Sequence, residues 1–193
     1  MRASSVRFIA EQGGRLDESL KEELFAYRYK VFVENLGWNL NATEGFEIDQ
    51  FDNEKTFYIV ATSRNKEVVG CARLLPTTSP YLLEQIFPQL LDGKSPPKSE
   101  HVWELSRFTT VDLLKGKGSS RKPSFGGQMT YGLGRHLLLK AMACARQNGA
   151  KTIISVSPIG VERLLKRMGV SSVRAGPPMI VDGYPLFACV IEL

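Results

Sequence analysis

The chain has 193 residues, 43% of them hydrophobic and 23% charged, which is the size and apolar content of one globular domain spanning 1–193 with a full core. Its formal charge of +5 and pI near 9.2 favour acidic partners, but 20 acidic side chains offset the excess, so nucleic acid is not demanded. The N-terminus lacks a long apolar run, which argues against a signal peptide or membrane span.

Ser19-Leu-Lys-Glu22 has the form of a capping box, and Leu20, Leu24, Tyr27 and Val31 recur at helical spacing up to Gly37, a natural stop. Arg28 and Phe32 share a face of that helix. From Trp38 to Phe51 the periodicity is lost, and Asn39, Asn41, Thr43 and Gly45 mark a loop that delivers Glu47, Asp49 and Asp52 close together, as a lid over a site. Thr56–Ala61 and Val68–Leu75 are β-rich runs joined by polar residues 63–66, the signature of a hairpin. Arg73 stands near the end of the second strand.

Prolines 76, 80, 88, 96 and 97 limit Tyr81–Leu91 to short helix inside an irregular excursion. His101–Thr110 reads as a strand carrying Glu104 and Arg107. The segment 115–127 is rich in Gly, Ser and Lys and reads as a mobile surface loop. Met129–Gln147 reads as a helix ended by Gly149, followed by a strand over Lys151–Ser157, a helix over Val161–Met168 and a last strand over Tyr184–Ile191. A hairpin followed by alternating helices and strands predicts an α/β fold: a three-layer α-β-α sandwich with a mixed, largely antiparallel sheet.

Cys71, Cys144 and Cys189 are odd in number, far apart and set in apolar stretches, which predicts buried free thiols, no disulfide and a reducing cytoplasm. His101 and His136 have no neighbour at metal-ligand spacing, so no metal is expected.

The most specific feature is an ordered string: R-x3-F-x5-W-x10-D-x2-D from Arg28 through Phe32, Trp38 and Asp49 to Asp52, then Arg73, then Glu104-Leu-Ser-Arg107-Phe108. Arginines, carboxylates and aromatics interleaved this tightly suit a substrate that is both cationic and zwitterionic. The string resembles the acyl-homoserine lactone synthases, the LuxI-type autoinducer synthases of bacterial quorum sensing, and the resemblance runs from about Glu22 to about Gly169. Eight positions fit it: Arg28, Phe32, Trp38, Asp49, Asp52, Arg73, Glu104 and Arg107.

The resemblance implies a fold related to N-acetyltransferases and a transferase reaction between S-adenosylmethionine, as substrate, and an acyl thioester on acyl carrier protein, with no cofactor. The amine attacks the thioester carbonyl; the methionine carboxylate then displaces 5′-methylthioadenosine from the γ-carbon and closes the lactone. The amine must first lose a proton to a carboxylate or to a water held by one. Glu104 is the first choice and Asp49 the second, as base or as anchor of the amino group, the plain alternative being that both pair with arginines. Trp38 and Phe32 suit the sulfonium, which an aromatic face attracts, with Phe108 flanking. Arg28 and Arg107 are candidates for holding the substrate carboxylate or ordering the loop. Asp52 with Arg73 reads as a loop-fixing pair. An oxyanion formed at the thioester would be met by backbone N–H groups beside Arg107 or at Ser155.

By the same resemblance, Leu105, Met142, Ser155 and Leu164 line an acyl tunnel, with Ser155 at the third acyl carbon, and a medium, unsubstituted chain is expected. Arg146, Lys151, Arg163, Lys166 and Arg167 are candidates for docking the acidic carrier protein, or are an ordinary solvated helix face. The competing reading is an acyl-CoA-dependent N-acyltransferase of related fold, because Gln128–Gly134 resembles a glycine-rich, phosphate-binding turn. A non-catalytic nucleic-acid binder is a third reading, but neither a basic recognition helix nor interleaved aromatics is evident.

Overall fold

A computed structural model describes residues 6–40, 42–111 and 131–193. The glycine-rich loop expected over 115–127, the start of the helix expected at Met129, and part of the Gln128–Gly134 turn lie outside the described residues. The chain is α/β, and among the described residues eight strands make a mixed sheet. Two compact units divide it, residues 1–73 with 107–140 and residues 74–106 with 141–193.

In the first unit, β1 (Arg7–Gln12) runs antiparallel to β2 (Phe57–Thr62), with Arg7 opposite Thr62 and Gln12 opposite Phe57. β2 leads through residues 63–67 into its neighbour β3 (Val68–Pro76). That connection closes by a Ser63 N–H bond to the Glu67 carbonyl at 2.8 Å, with Lys66 in the left-handed region. β1 was not foreseen, because its side chains are only exposed or half-buried and show no two-residue alternation.

Helix α1 (Glu18–Arg28) begins two residues earlier than the capping box at Ser19 predicts. Asp17 is the cap: its carboxylate accepts the Leu20 N–H at 3.2 Å, and the Ser19 hydroxyl donates to the same oxygen at 2.7 Å. A charged acceptor two residues upstream wins over the serine, which becomes its supporting donor. After Arg28 the coil widens into π-helix over Tyr29–Asn35 and stops at Gly37, which takes φ +67°. At its end the Trp38 N–H reaches the Phe32 carbonyl at 2.9 Å, so the helix exit fixes these two aromatics relative to each other. Leu24, Tyr27, Val31 and Phe32 of this face pack with Tyr58, Val60 and Cys71 of the sheet in one apolar core.

The loop after Trp38 is anchored at both ends. The Glu47 N–H donates to the Phe25 carbonyl at 3.1 Å, and Gly13 and Gly14 donate to the Thr56 and Glu54 carbonyls at 2.8 and 2.9 Å. A Cβ at Gly13 would overlap the Asn53 carbonyl oxygen, so only glycine permits this approach.

In the second unit, residues 102–106 of β4 (Val102–Thr109) run parallel to β5 (Thr152–Pro158), with Val102 opposite Thr152, and β8 (Tyr184–Glu192) pairs antiparallel with β5. Two short strands absent from the expectation, β6 (Val173–Arg174) and β7 (Met179–Val181), pair antiparallel with β8. They are too short and too exposed to leave a periodic signal. The irregular excursion holds α2 (Leu82–Gln85) and a 3₁₀ turn over Pro88–Leu91. It is tied down by the buried Tyr81, whose hydroxyl donates to the Pro97 carbonyl at 2.7 Å. α3 (Tyr131–Gln147) and α4 (Gly160–Arg167) are the remaining helices among the described residues, the latter one residue displaced from its expected bounds.

Candidate active site

Three guanidiniums and three carboxylates meet in the first unit. Arg28, at the last position of α1, donates from Nη1 and Nη2 to the two oxygens of Asp52 at 2.8 and 2.9 Å, and from Nε to Glu47 at 2.6 Å. Arg73, from β3, reaches Asp49 at 2.5 Å and Asp52 at 3.1 Å through Nη1. Arg107, from β4, donates from Nε and Nη2 to Glu47 at 3.1 and 2.8 Å, and from Nη2 to Asp49 at 2.9 Å. The cluster is therefore neutral, which is what burial demands of six charges. Its centre is buried, since the side chains of Arg28, Glu47 and Asp52 are each 1% exposed. Asp49 is the most open of the three acids, at 15%.

The loop supplying the acids is ordered by its own carboxylates. Asp52 accepts the Asp49 N–H at 2.9 Å and the Tyr58 hydroxyl at 2.9 Å, while Asp49 accepts the Phe51 N–H at 2.9 Å. Burial pushes the Asp52 carboxyl up, but Arg28 and Arg73 outweigh it and hold it well below the usual carboxylate range. Glu47 is lowered in the same way, with Arg28 and Arg107 overcoming desolvation. Desolvation, reinforced by the Asp52 charge, pushes the Tyr58 phenol up, so it stays a donor.

Aromatic rings flank the guanidiniums. Arg28 lies 5.3 Å from the Phe25 ring centre, Arg73 5.6 Å from Phe51 and Arg107 5.7 Å from Phe32. Phe32 is buried and stacks on the half-buried Trp38 at 5.0 Å and 26°. Arg107 takes φ +51°, a conformation costly for a side-chain-bearing residue that breaks the two-residue alternation of β4. Phe108 beside it is half-buried.

Glu104 belongs to the second unit and is fully buried. Its oxygens accept the N–H groups of Leu82 at 2.9 Å and Leu83 at 2.7 Å, the first amides of α2. Leu105, Met142 and Ser155 are buried and Leu164 is half-buried; the Ser155 hydroxyl lies 3.2 Å from that of Ser157. Arg146, Lys151, Arg163, Lys166 and Arg167 are exposed. Cys71, Cys144 and Cys189 are free and buried, and burial pushes the Cys71 and Cys189 thiols up to about 12.

Glu47 is the member of the cluster that the sequence placed in the loop but not among the site residues. The signal was there: it stands two residues before Asp49 in the same run of acids.

The family model described as autoinducer synthase matches residues 13–189. An acyl-homoserine-lactone synthase of Acinetobacter nosocomialis is 48% identical over 97% of this chain and 100% of its own length; one of Ralstonia solanacearum is 41% identical over 97% and 89%. Among solved structures, TofI in a ternary complex with an inhibitor and MTA superposes with TM-score 0.81 at 41% identity, covering 96% of this chain and 91% of that one. The fold extends further. BjaI, a CoA-dependent acyl-homoserine lactone synthase, matches at 24% identity with TM-score 0.82, covering 97% of this chain and 83% of its own. A putative N-acetyltransferase from Lactobacillus plantarum matches at 19% with TM-score 0.62, covering 98% and 99%. With the family's model matched over nearly its whole length and a neutral, buried arginine–carboxylate cluster at the motif positions, the chain belongs to the autoinducer synthases and is an acyl-homoserine-lactone synthase.

Proposed function

We propose that the enzyme joins S-adenosylmethionine to an acyl group delivered as a thioester on acyl carrier protein, and releases an N-acyl-homoserine lactone, 5′-methylthioadenosine and the free carrier. The observation that carries this reading is the cluster itself. Its arginines and acids are held rigidly by one another, and its edge offers what an amino acid bearing a sulfonium needs. Asp49, the most open of the acids, takes the ammonium; Arg107 takes the carboxylate; the partly open Trp38, braced by Phe32, takes the sulfonium. Complexes of relatives support the substrate: TofI with MTA, and BjaI with SAM.

The amine needs a base before it attacks. Glu104, whose oxygens accept the Leu82 and Leu83 N–H groups, acts as the base directly or through a water, and Asp49, whose oxygens accept the Phe51 N–H and two guanidiniums, is the second choice or anchors the ammonium. Leu105, Met142, Ser155 and Leu164 are proposed to receive a medium, unsubstituted acyl chain. The exposed basic residues Arg146, Lys151, Arg163, Lys166 and Arg167 suit an acidic carrier in the cytoplasm, where thiols stay reduced. The reaction as written uses no metal or redox cofactor.

Mass spectrometry of purified enzyme with S-adenosylmethionine and parallel panels of carrier-protein and CoA thioesters tests this. Acyl-homoserine lactone formed with carrier thioesters is the expected result. Turnover with CoA thioesters alone transfers the donor assignment to CoA, and acylation of unrelated amines overturns the substrate.

A further inference from the structure

Glu47 lies between Arg28, which pins the acid-bearing loop, and Arg107, to which the proposed chemistry gives the substrate carboxylate. Its carboxylate accepts the Nε–H of Arg28 at 2.6 Å and, from Arg107, Nε–H at 3.1 Å and an Nη2 hydrogen at 2.8 Å. It is 1% exposed, and its own amide is fixed to the Phe25 carbonyl at 3.1 Å. These bonds reach Arg107 along the Nε–Nη2 edge, and Asp49 also binds Nη2. Nη1 is thus the nitrogen these carboxylates leave to another acceptor. Arg107 has left-handed backbone as well, a conformation that persists only where surrounding contacts over-determine it. The grip and the strain fall on one residue.

We infer that Glu47 is a positioning residue for the second half of the reaction: it turns Arg107 so that Nη1 holds the substrate carboxylate in line with the γ-carbon. The inference rests on the synthase reading above. In the first step the amine nitrogen bonds to the thioester carbonyl carbon, the carbonyl–sulfur bond breaks, and the carrier thiolate takes up the proton the amine loses. That step does not need the carboxylate in line. In the second step a carboxylate oxygen bonds to the γ-carbon and the carbon–sulfur bond breaks. Its electron pair goes to the sulfonium sulfur, which leaves as the neutral thioether of 5′-methylthioadenosine. A misplaced carboxylate slows only this step, and an error of about 1 Å costs on the order of 10²-fold.

The test compares thiol release and methylthioadenosine release in single-turnover reactions of wild type, Glu47→Asp and Glu47→Gln, with thermal unfolding recorded for each. Glu47→Asp keeps the charge and withdraws the carboxylate by one methylene. The expected result is that thiol release outruns methylthioadenosine release by about tenfold or more, and that an N-acylated S-adenosylmethionine accumulates. Glu47→Gln, if folded, shows a larger gap. Equal slowing of both products in folded variants, or no slowing, overturns the inference; so does failure of both variants to fold, because the carboxylate is then structural. A wild type that releases neither product from carrier or CoA thioesters refutes the synthase reading instead, a result the variants do not mimic.

Discussion

Arg28 and Asp52 form a fork-to-fork pair, Nη1 to Oδ1 at 2.8 Å and Nη2 to Oδ2 at 2.9 Å, with each side chain 1% exposed. The pair joins the end of α1 to the loop that carries the acids. Two parallel bonds specify an orientation as well as a distance, so the pair sets where Asp49 and Glu47 stand. Lysine cannot reproduce the fork. Arg28→Lys is therefore expected to abolish most turnover although it keeps the charge, and Asp52→Asn, which leaves a buried guanidinium short of a counter-charge, to cost about 3–5 kcal/mol of stability. Urea unfolding together with kcat for the two variants checks both; a fully active Arg28→Lys would show that charge alone suffices.

The pH dependence follows from the same burial. Asp52 and Glu47 have folded-state values below those of the unfolded chain, because their arginines outweigh desolvation. Each therefore contributes stability that is fully present above the unfolded carboxylate value, about 4, and is lost as pH falls through the folded value. Melting temperature is expected to decline below about pH 4 without any contribution from these two groups between about pH 5 and 8. Glu47→Gln should flatten part of the acid slope; an unchanged slope would assign the acid sensitivity to other carboxylates.

How far the sequence foretold this arrangement depends on the range of the interactions. The α/β order, the hairpin and the helix ending at Gly37 were legible because they follow local periodicity and glycine stops. The cap was misassigned to Ser19, since a capping box and an upstream Asp17 compete within three residues and only the backbone decides. Arg28, Asp49, Asp52, Arg73 and Arg107 stood out as residues, and Asp52 with Arg73 was legible as a pair, which stands at 3.1 Å, but the partner of Arg107 was not: Arg107 and Glu47 are 60 positions apart. The left-handed Arg107 had no signal at all, since nothing in Glu-Leu-Ser-Arg-Phe departs from a strand pattern.

Glu104 separates two roles that one mutation would confuse. In Glu104→Gln, one oxygen that accepts a Leu82 or Leu83 N–H becomes an NH₂ group facing it. Stability should fall by about 1–3 kcal/mol from the unsatisfied amide. If Glu104 also relays the proton, kcat falls much further than this loss explains, and raising the pH to deprotonate the amine in solution restores part of it. A kcat reduced equally at every pH would leave Glu104 as the anchor of α2.

Gly13 tests whether loop placement matters at a distance. A methyl group there collides with the Asn53 carbonyl, which is a rigid neighbour, and must push the loop bearing Asp49 and Asp52 away from the end of β1. Gly13→Ala is expected to lower kcat with a smaller effect on the melting temperature, because the residue touches no charged group. A normal kcat would mean that the Arg28–Asp52 fork alone holds the loop.

Trp38 provides the direct test of sulfonium recognition. Its ring is stacked on Phe32 and fixed through its amide to the Phe32 carbonyl, so its orientation is set before any ligand arrives. A cation held over such a face gains about 0.5–2 kcal/mol, depending on how dry the contact is. Trp38→Ala should therefore weaken S-adenosylmethionine by about 2-fold to 30-fold, with little change for a neutral analogue in which sulfur carries no charge. Calorimetric titration of both ligands separates charge recognition from shape: an equal loss for the two would make Trp38 a wall of the pocket, whereas a loss confined to the sulfonium follows only from attraction to the ring face.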